Sequence, residues 1–585
     1  MYILGINSYY HDSSAALIKD GKLVVAIQEE RITRIKHDNS FPINSIKYCL
    51  KSQNIKIEEI DYIAYYEKPF LKLERIIYQH LETFPKSYKQ FITTMPNILN
   101  EKIRVEKIIR NRLKYKKDIF FINHHLSHSA SFLISPFKES AILTLDGVGE
   151  WNTTTYGFGK ENQIKLIKEI NFPHSLGLFY STITAYLGFS VNNSEYKVMG
   201  LSAYGNNNTL KNKYYEKLKK VIDVKKDGSY RLDITYFSYI YSSKMPSKKM
   251  CKLLGGPIRK PNEKIEKRHK DIAAALQLIL EETIIKILNH IYKETKIENI
   301  VISGGIGLNS LINGKILKKT PFKRIWISPD PGDGGSSIGA AFYLYNSLLN
   351  HQRVFQFKDI FLGPKFSSKE IKKFLEENKI KYISFKKEED LINTTINLIL
   401  ENKIIGWFQG KMEWGPRALG ARSILSNPCN PNSKRLLNLK VKHREEFRPF
   451  APTILKEEIK NYFICDTNLP KITDYMLLIY KIKNKWIKKI PSVIHIDKTA
   501  RPQTISKNQN RRYYKLIKKF QEITKIPLLI NTSFNVRGEP IVCTPFDAYS
   551  CMMGTEIDYL VIEKYLIKRK DNLKDKWEYF INEKE

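Results

Sequence analysis

Two histidines four residues apart open the chemistry of this chain. The stretch Asn123-His124-His125-Leu126-Ser127-His128 follows a strand-like run, Asp118 to Ile122, and leads into the small residues Ser129-Ala130-Ser131. If the segment is helical, His124 and His128 share a face with their Cβ atoms roughly 5–6 Å apart, and both imidazoles can hold one metal ion. The next apolar strand, Ala141 to Leu145, ends in Asp146-Gly147. Paired imidazoles and a carboxylate, with coordination positions left open, suit iron or another first-row divalent metal. Surface or packing histidines give the same spacing, so the reading depends on the elements around them.

Those elements repeat. Tyr2 to Ile6 is an apolar strand, Asn7 to Ser14 a polar loop with His11 and Asp12, and Ala15 to Ile18 a second strand. Asp20-Gly21 is a hairpin turn, and Lys22 to Gln28 returns as a third strand. The pattern recurs as strand Ala141 to Leu145, polar loop Asp146 to Asn152, strand Thr153 to Phe158, turn Gly159-Lys160 and strand Gln163 to Ile170. This is a duplication of pattern without a duplication of letters. Facing units of this kind, with phosphate-holding loops, are the arrangement of the actin, sugar-kinase and heat-shock-chaperone nucleotide folds. Two unrelated hairpins are the plainer alternative.

Ile43 to Leu50 and the basic stretch Phe70 to Lys117 read as helical, as does amphipathic Asp271 to Ile291. A strand then enters Ser303-Gly304-Gly305-Ile306-Gly307-Leu308-Asn309 and a helix follows. Glycines admit close backbone approach, and a helix N-terminus favours negative charge. Ser303, Gly304, Gly305 and Asn309 are therefore candidate nucleotide contacts. The strand–loop–helix pattern returns at Ile325 to Ser336, where Asp333 is either a fourth metal ligand or a turn and cap residue.

Asn350 to Phe361 reads as linker, which divides the chain into residues 1–350, a linker over 351–363, and residues 364–585, with a charged, peripheral tail after Lys564. The second part is rich in Arg where the rest of the chain favours Lys. Its blocks are Gly410 to Ile424 with Arg417, Lys440 to Pro452 with Lys442 and Arg448, the site of Arg501, and Asn531 to Pro540 with Asn531 and Ser533. Arg binds phosphate bidentately. Several guanidiniums in one pocket repel one another without an anion, so the blocks imply a site for more than one phosphate. Surface pairs with Glu413, Glu445 and Glu446 are the alternative.

At 585 residues the chain needs about two to four domains, and its 42% hydrophobic content is that of a globular protein. A formal charge of +37 attracts polyanions. The excess is mostly Lys, dispersed among Ile and Asn, so biased composition is the stronger account and a nucleic-acid partner the weaker. Six scattered cysteines without a CxxC motif fit a reducing compartment. No apolar run reaches membrane-span length, and Met1 to Ile6 lacks a basic leader. A cytoplasmic protein without a membrane partner is expected, and a homodimer is compatible with these features.

The motif blocks resemble those of the ATP-dependent O-carbamoyltransferases, which include the nodulation-factor, cephamycin, tobramycin and saxitoxin-pathway enzymes. Gly415-Pro416-Arg417-Ala418-Leu419-Gly420 and Phe447-Arg448-Pro449-Phe450-Ala451-Pro452 are the most specific, and the resemblance runs over nearly the whole chain. It implies an α/β architecture. An actin-like ATPase domain of duplicated ribonuclease-H-like units, similar to the threonylcarbamoyl-transferring domain of tRNA modification, comes first. A YrdC-like α/β domain follows. It implies that carbamoyl phosphate and ATP, with Mg²⁺, give carbamoyl-adenylate and pyrophosphate in the second domain. The carbamoyl group then passes to a hydroxyl of a small-molecule acceptor in the first, beside Fe²⁺ or another divalent metal held by His124, His128, Asp146 and Asp333. On this reading Arg417, Lys442, Arg448 and Arg501 neutralise the anions, and Asn531 and Ser533 bond carbamoyl or phosphate oxygens. His11 either accepts the hydroxyl proton or is a loop histidine bonded to backbone. The neighbourhood of Asn152, Thr153 and Asn192 to Tyr196 shapes acceptor choice. A tRNA threonylcarbamoyl-type modification enzyme and a kinase-like nucleotide-binding protein are the competing readings.

Overall fold

The computed structural model describes residues 1–465 and 468–572. The chain forms two compact units, Met1–Glu29 with His37–Phe357, and Glu30–Lys36 with Lys358–Glu585.

In the first unit, strands β1 (Tyr2–Asn7), β2 (Ser14–Lys19), β3 (Lys22–Gln28), β4 (Tyr62–Tyr65) and β5 (Ile119–Phe121) form a sheet in the order β3-β2-β1-β4-β5. β6 (Glu139–Leu145), β7 (Asn152–Lys160) and β8 (Gln163–Asn171) join strands Asn299–Ser303 and Arg324–Ile327 in a second sheet. Its order is Arg324–Ile327, Asn299–Ser303, β6, β7, β8. Both sheets therefore run third, second, first, fourth, fifth. In both, the first three strands pair antiparallel and the last two join in parallel. The repeat inferred from hydrophobic pattern is a repeat of topology, and the unit is mixed α/β with a duplicated strand order.

β1 and β6 are buried along almost their whole length, as expected of strands covered on both faces. One cover is the helix Lys267–Thr295, which starts a turn before the expected Asp271. It buries Ile272, Leu276, Ile279, Ile287 and Ile291 at the spacing of one helical stripe. The basic stretch folds as helices Pro69–Glu82, Tyr88–Asn97 and Val105–Leu113, with a wider turn at Ile98–Lys102. Helix Ser336–Phe342 lies against the His124–Ser129 helix, and a Cβ on Gly339 would stand 1.8 Å from the Ser127 carbonyl oxygen. Only glycine permits that approach.

In the second unit an eight-stranded mixed sheet runs Ile383–Ser384, Tyr565–Lys568, Tyr559–Ile562, Ile405–Phe408, Arg422–Ser426, Leu528–Ser533, Ala451–Leu455, Gln503–Ile505. The tail expected to be peripheral after Lys564 thus begins as a paired strand; residues 573–585 lie outside the described residues. Residues 30–36, expected within the first domain, belong to the second unit. Arg31 Nη2 donates to Gly415 O at 2.9 Å, and Arg34 donates to Ile541 O at 2.7 Å and Pro540 O at 2.8 Å. Guanidiniums saturate loop carbonyls there, a long-range satisfaction of backbone acceptors that no local pattern announces.

Candidate active sites

Each unit gathers one cluster of reactive side chains. In the first, the helix His124–Ser129 is fixed at its N-terminus twice. The Asn123 side chain accepts from His125 N and Leu126 N. The buried Glu150 carboxylate accepts from His124 N at 2.9 Å, Asn123 Nδ2 at 3.1 Å and Lys68 N at 2.8 Å. Asp146 follows the end of strand β6, and the loop after Arg324–Ile327 brings Asp333. Asn7, the last residue of β1, holds that loop, donating to the Asp333 carbonyl at 2.7 Å.

These supports bring all four expected ligands together. His124 Nε2 lies 3.1 Å from His128 Nε2, 3.1 Å from Asp146 Oδ2 and 3.7 Å from Asp333 Oδ1, and His128 Nε2 lies 3.3 Å from Asp333 Oδ1. The four ligand atoms fall within 4.8 Å of one another. The residues are 1%, 3%, 7% and 6% exposed for His124, His128, Asp146 and Asp333. Neither Asp333 oxygen accepts a hydrogen bond. Two imidazole nitrogens aimed at one point beside a buried carboxylate with unused lone pairs are costly without a cation. The donor set fits a divalent transition metal. In protein atoms alone, burial opposes a charged His124, but Asp146 and Asp333 outweigh it and raise its pKa to about 9. Burial would raise Asp146, and the imidazoles reverse this and hold it well below the carboxylate range. His125 stands apart, its Nδ1 3.0 Å from Thr155 Oγ1; burial and the neighbouring His124 charge keep it neutral.

His11 sits in a second cluster of the same unit. Asp12 bridges two imidazoles, with Oδ2 2.6 Å from His11 Nδ1 and Oδ1 2.7 Å from His37 Nδ1. His11 Nε2 donates to the Asn192 carbonyl at 2.7 Å. Both of its nitrogens are donors here, and Asp12 raises its pKa to about 10 against the opposing effect of burial. Sequence reasoning named neither Asp12 nor His37 as a site residue; the signal available was Asp12 beside His11 in one polar loop.

Among the nucleotide candidates, Gly304 has φ +84° and a Cβ there would lie 2.2 Å from Leu145 O, so the loop presses on the end of β6. Gly305 N donates to Asp146 Oδ1 at 3.1 Å, and Ser303 Oγ is 2.8 Å from Thr144 Oγ1. These residues buttress Asp146. Asn309 caps the helix Ser310–Lys319 and pairs with Gln277 in both directions, at 3.0 and 3.2 Å.

In the second unit, Lys442 is buried with its ammonium among Ser533 O, Ser533 Oγ at 3.2 Å, Asn535 O at 2.9 Å and Asn535 Oδ1 at 2.8 Å. Burial, then the charge of Arg444, drives its pKa well below the ordinary lysine value. Burial and then the charges of Arg417, Arg444 and Arg448 do the same to Arg501. The expected arginines therefore converge, joined by Arg444, which sequence reasoning left in its block without a role. Glu445 lies 3.6 Å from Arg448. Glu413 is no surface partner: its buried carboxylate accepts from Leu419 N at 2.6 Å and Arg422 N at 3.2 Å, and so shapes the Arg417 loop. Asn531 Nδ2 donates to Thr453 Oγ1 and Gln503 Oε1, both at 2.9 Å, while its Oδ1 is buried without a hydrogen bond.

Known proteins share this chain's sequence over both units. Residues 2–342 match the family described as carbamoyltransferase N-terminus, and residues 396–569 match carbamoyltransferase C-terminus. The uncharacterized protein sll1178 of Synechocystis is 42% identical over 603 residues, covering 97% of each chain. Nodulation protein NolNO of Sinorhizobium fredii is 32% identical over 98% of this chain and 81% of its own. Nodulation protein NolO of Bradyrhizobium diazoefficiens is 30% identical over 78% of this chain and 80% of its own. Among solved structures, HypF of T. kodakarensis matches 58% of this chain and 47% of its own at 14% identity, with a TM-score of 0.30. The chain belongs to the carbamoyltransferase family and is a transferase.

Proposed function

We propose that this carbamoyltransferase works by two half-reactions, forming carbamoyl-adenylate in the second unit and carbamoylating an acceptor hydroxyl at the metal cluster of the first. The observation that carries the reading is the buried Lys442 ammonium held by Ser533 and Asn535, with the charges of Arg444 and Arg448 acting both on it and on Arg501, which Arg417 also influences. Such a cationic pocket is stable when polyanions enter it, and ATP with carbamoyl phosphate supplies them.

In the second unit, carbamoyl phosphate loses inorganic phosphate to water, and a carbamate oxygen then bonds to the α-phosphorus of Mg²⁺-bound ATP as pyrophosphate leaves. The arginines neutralise the gathered charge and hold a near-attack geometry. Phosphate charge restores the Lys442 ammonium that burial disfavours. Asn531 and Ser533 orient carbamoyl or phosphate oxygens, in a mixed α/β unit read as YrdC-like.

In the first unit, the acceptor oxygen bonds to the carbamoyl carbon and AMP leaves. His124, His128, Asp146 and Asp333 would hold a divalent metal, iron by resemblance, which supplies Lewis-acid polarisation when bound. Ser303, Gly304 and Gly305 keep Asp146 in place. For His11 to take the hydroxyl proton it must first lose the proton it donates to Asn192, so that step begins with a shift of the Asn192 loop. The substrates and the free cysteines fit a cytoplasmic enzyme. Among the described residues no helix is long and apolar enough to cross a membrane. The tRNA-modification alternative is not favoured by a family match that spans both units.

Incubation with ATP, Mg²⁺, carbamoyl phosphate and labelled pyrophosphate should return label to ATP only when carbamoyl phosphate is present. Arg448→Ala should reduce that exchange by about 10²-fold or more. A folded wild-type protein without exchange, or an Arg448→Ala variant with full exchange, would overturn the assignment.

A further inference from the structure

The connection between β4 and β5, residues 66–118, is an insertion: the matching connection of the second repeat carries a single α-helix, Ser310–Lys319. Its first helix, Pro69–Glu82, is built inside out. Lys72, Arg75 and His80 are buried, while Phe70, Ile77, Tyr78 and Leu81 are exposed at the spacing of one helical stripe. Polar groups fasten the inner face. Lys72 Nζ pairs with Glu67 at 2.5 Å and lies over the Tyr10 ring, 4.7 Å from its centroid. Arg75 stacks on Phe172 at 4.9 Å, and Gln79 Nε2 donates to the Ile240 carbonyl at 3.0 Å. The helix cannot roll its apolar stripe inward without stripping these groups of their partners, a costly exchange.

The apolar surface continues beyond this helix. Phe84 stands in the turn that follows, and Tyr88, Phe91 and Ile92 are exposed at i, i+3 and i+4 of helix Tyr88–Asn97. The His80 and Phe91 rings meet edge to face, 5.2 Å between centroids, so the two helices present neighbouring faces. Phe70, Leu81 and Phe84 are 70%, 72% and 69% exposed. Elsewhere among the described residues, exposed large hydrophobic side chains stand singly along the sequence, which is ordinary for a protein surface. At ~200 Å² for a whole aromatic side chain, the exposed parts of the five aromatic residues come to roughly 600 Å². The aliphatic residues carry the patch to the ~800 Å² that each partner of a standard protein–protein interface contributes.

Charges of both signs border this face. Glu74 lies within the apolar stripe and Glu82 at its end, Lys86 is in the turn, and Lys89 is at the start of the second helix; all four are exposed. A patch with acids on one side and bases on the other is complementary to itself. A twofold axis sets the acids of one copy against the bases of the next. A lipid surface fits less well, because it would have to take the Glu74 carboxylate out of water. The net charge of +37 is dispersed over the chain, and physiological salt screens such distant charges beyond ~8 Å, so it does not forbid contact between copies.

We propose that helices Pro69–Glu82 and Tyr88–Asn97 form the face through which two copies of this chain make a twofold dimer, with Glu74 and Glu82 of each copy meeting Lys86 and Lys89 of the other. Sedimentation velocity of the metal-loaded, full-length protein over a concentration series should show that dimer. Leu81→Asp combined with Phe84→Asp should make the protein monomeric. Glu74→Lys with Glu82→Lys, and separately Lys86→Glu with Lys89→Glu, should each weaken the dimer at least tenfold, since like charges then face one another. An equimolar mixture of these two charge variants should recover it, because every reversed acid position then meets a reversed base position. The four charged positions are exposed, so these variants keep the test decisive if the Leu81, Phe84 variant fails to fold. A dimer built on another surface would ignore all the substitutions and overturns the proposal. So does a wild type that stays monomeric, or a mixture that fails to pair. A monomer that floats with phosphatidylglycerol vesicles, and no longer does so with Leu81→Asp and Phe84→Asp, assigns the face to a lipid surface and also overturns it. The readout is self-association, so failed ATP–pyrophosphate exchange would refute carbamoyl-adenylate formation without altering this result.

Discussion

His11 shows how far a single residue can be read from its type. A histidine in a polar loop near a metal cluster suggests a base, but here Asp12 and the Asn192 carbonyl hold both ring nitrogens as donors. Asp12 raises its pKa in the folded protein to about 10, above the ordinary histidine value of about 6.5. The pair therefore adds stability that is fully present below pH 6.5 and is lost as pH rises through 10. The difference in unfolding free energy between wild type and His11→Gln should shrink across that window, by at most about 1.4 kcal/mol per pH unit. Urea titrations at several pH values measure it, and a pH-independent difference would refute the ion pair. The arginines were legible for the opposite reason. Their abundance in a Lys-dominated chain set them apart by type, and the charges of Arg417, Arg444 and Arg448 act together on Arg501. The partners of Asn309 and Glu413 were not legible, because Gln277 and the Leu419 amide come from contacts that local spacing does not encode.

At the scale of elements, the candidate metal cluster depends on a helix of only six residues, too short to be stable alone. Its N-terminal anchor is Glu150, which lies 26 residues away from His124 and satisfies amides that a helix start leaves open. Glu150→Gln removes the charge from these bonds, each worth about 1.5–3 kcal/mol. We expect roughly 2–4 kcal/mol of lost stability together with weaker metal binding, read by urea unfolding and metal titration. Unchanged values for both would show that Asn123 suffices as the cap. The duplicated strands were visible in the sequence because strand alternation and turn residues are local. The insertion 66–118 was visible as helical and basic, but its buried charges were not, because amphipathic spacing does not distinguish a solvated Lys from one enclosed by Tyr10 and Glu67.

At the scale of the whole molecule, the proposed division of the two half-reactions between the units predicts that single substitutions separate them. His128→Ala should lose bound metal and acceptor carbamoylation while keeping ATP–pyrophosphate exchange. Arg448→Ala should keep metal and lose exchange. Metal analysis and the exchange assay on the two folded variants test this, and loss of exchange in His128→Ala would argue against independent sites. The sequence places a linker at residues 351–363, and the units divide between Phe357 and Lys358; the assignment of residues 30–36 was not legible, since it depends on Arg31 and Arg34 reaching carbonyls 384 and 507 positions away in sequence. That small segment has a consequence for anyone dividing the gene. A fragment starting at Lys358 would leave the carbonyls of Gly415, Pro540 and Ile541 without their guanidinium donors. A self-sufficient fragment of the second unit therefore requires residues 30–36 to be grafted back or supplied as a synthetic peptide in trans.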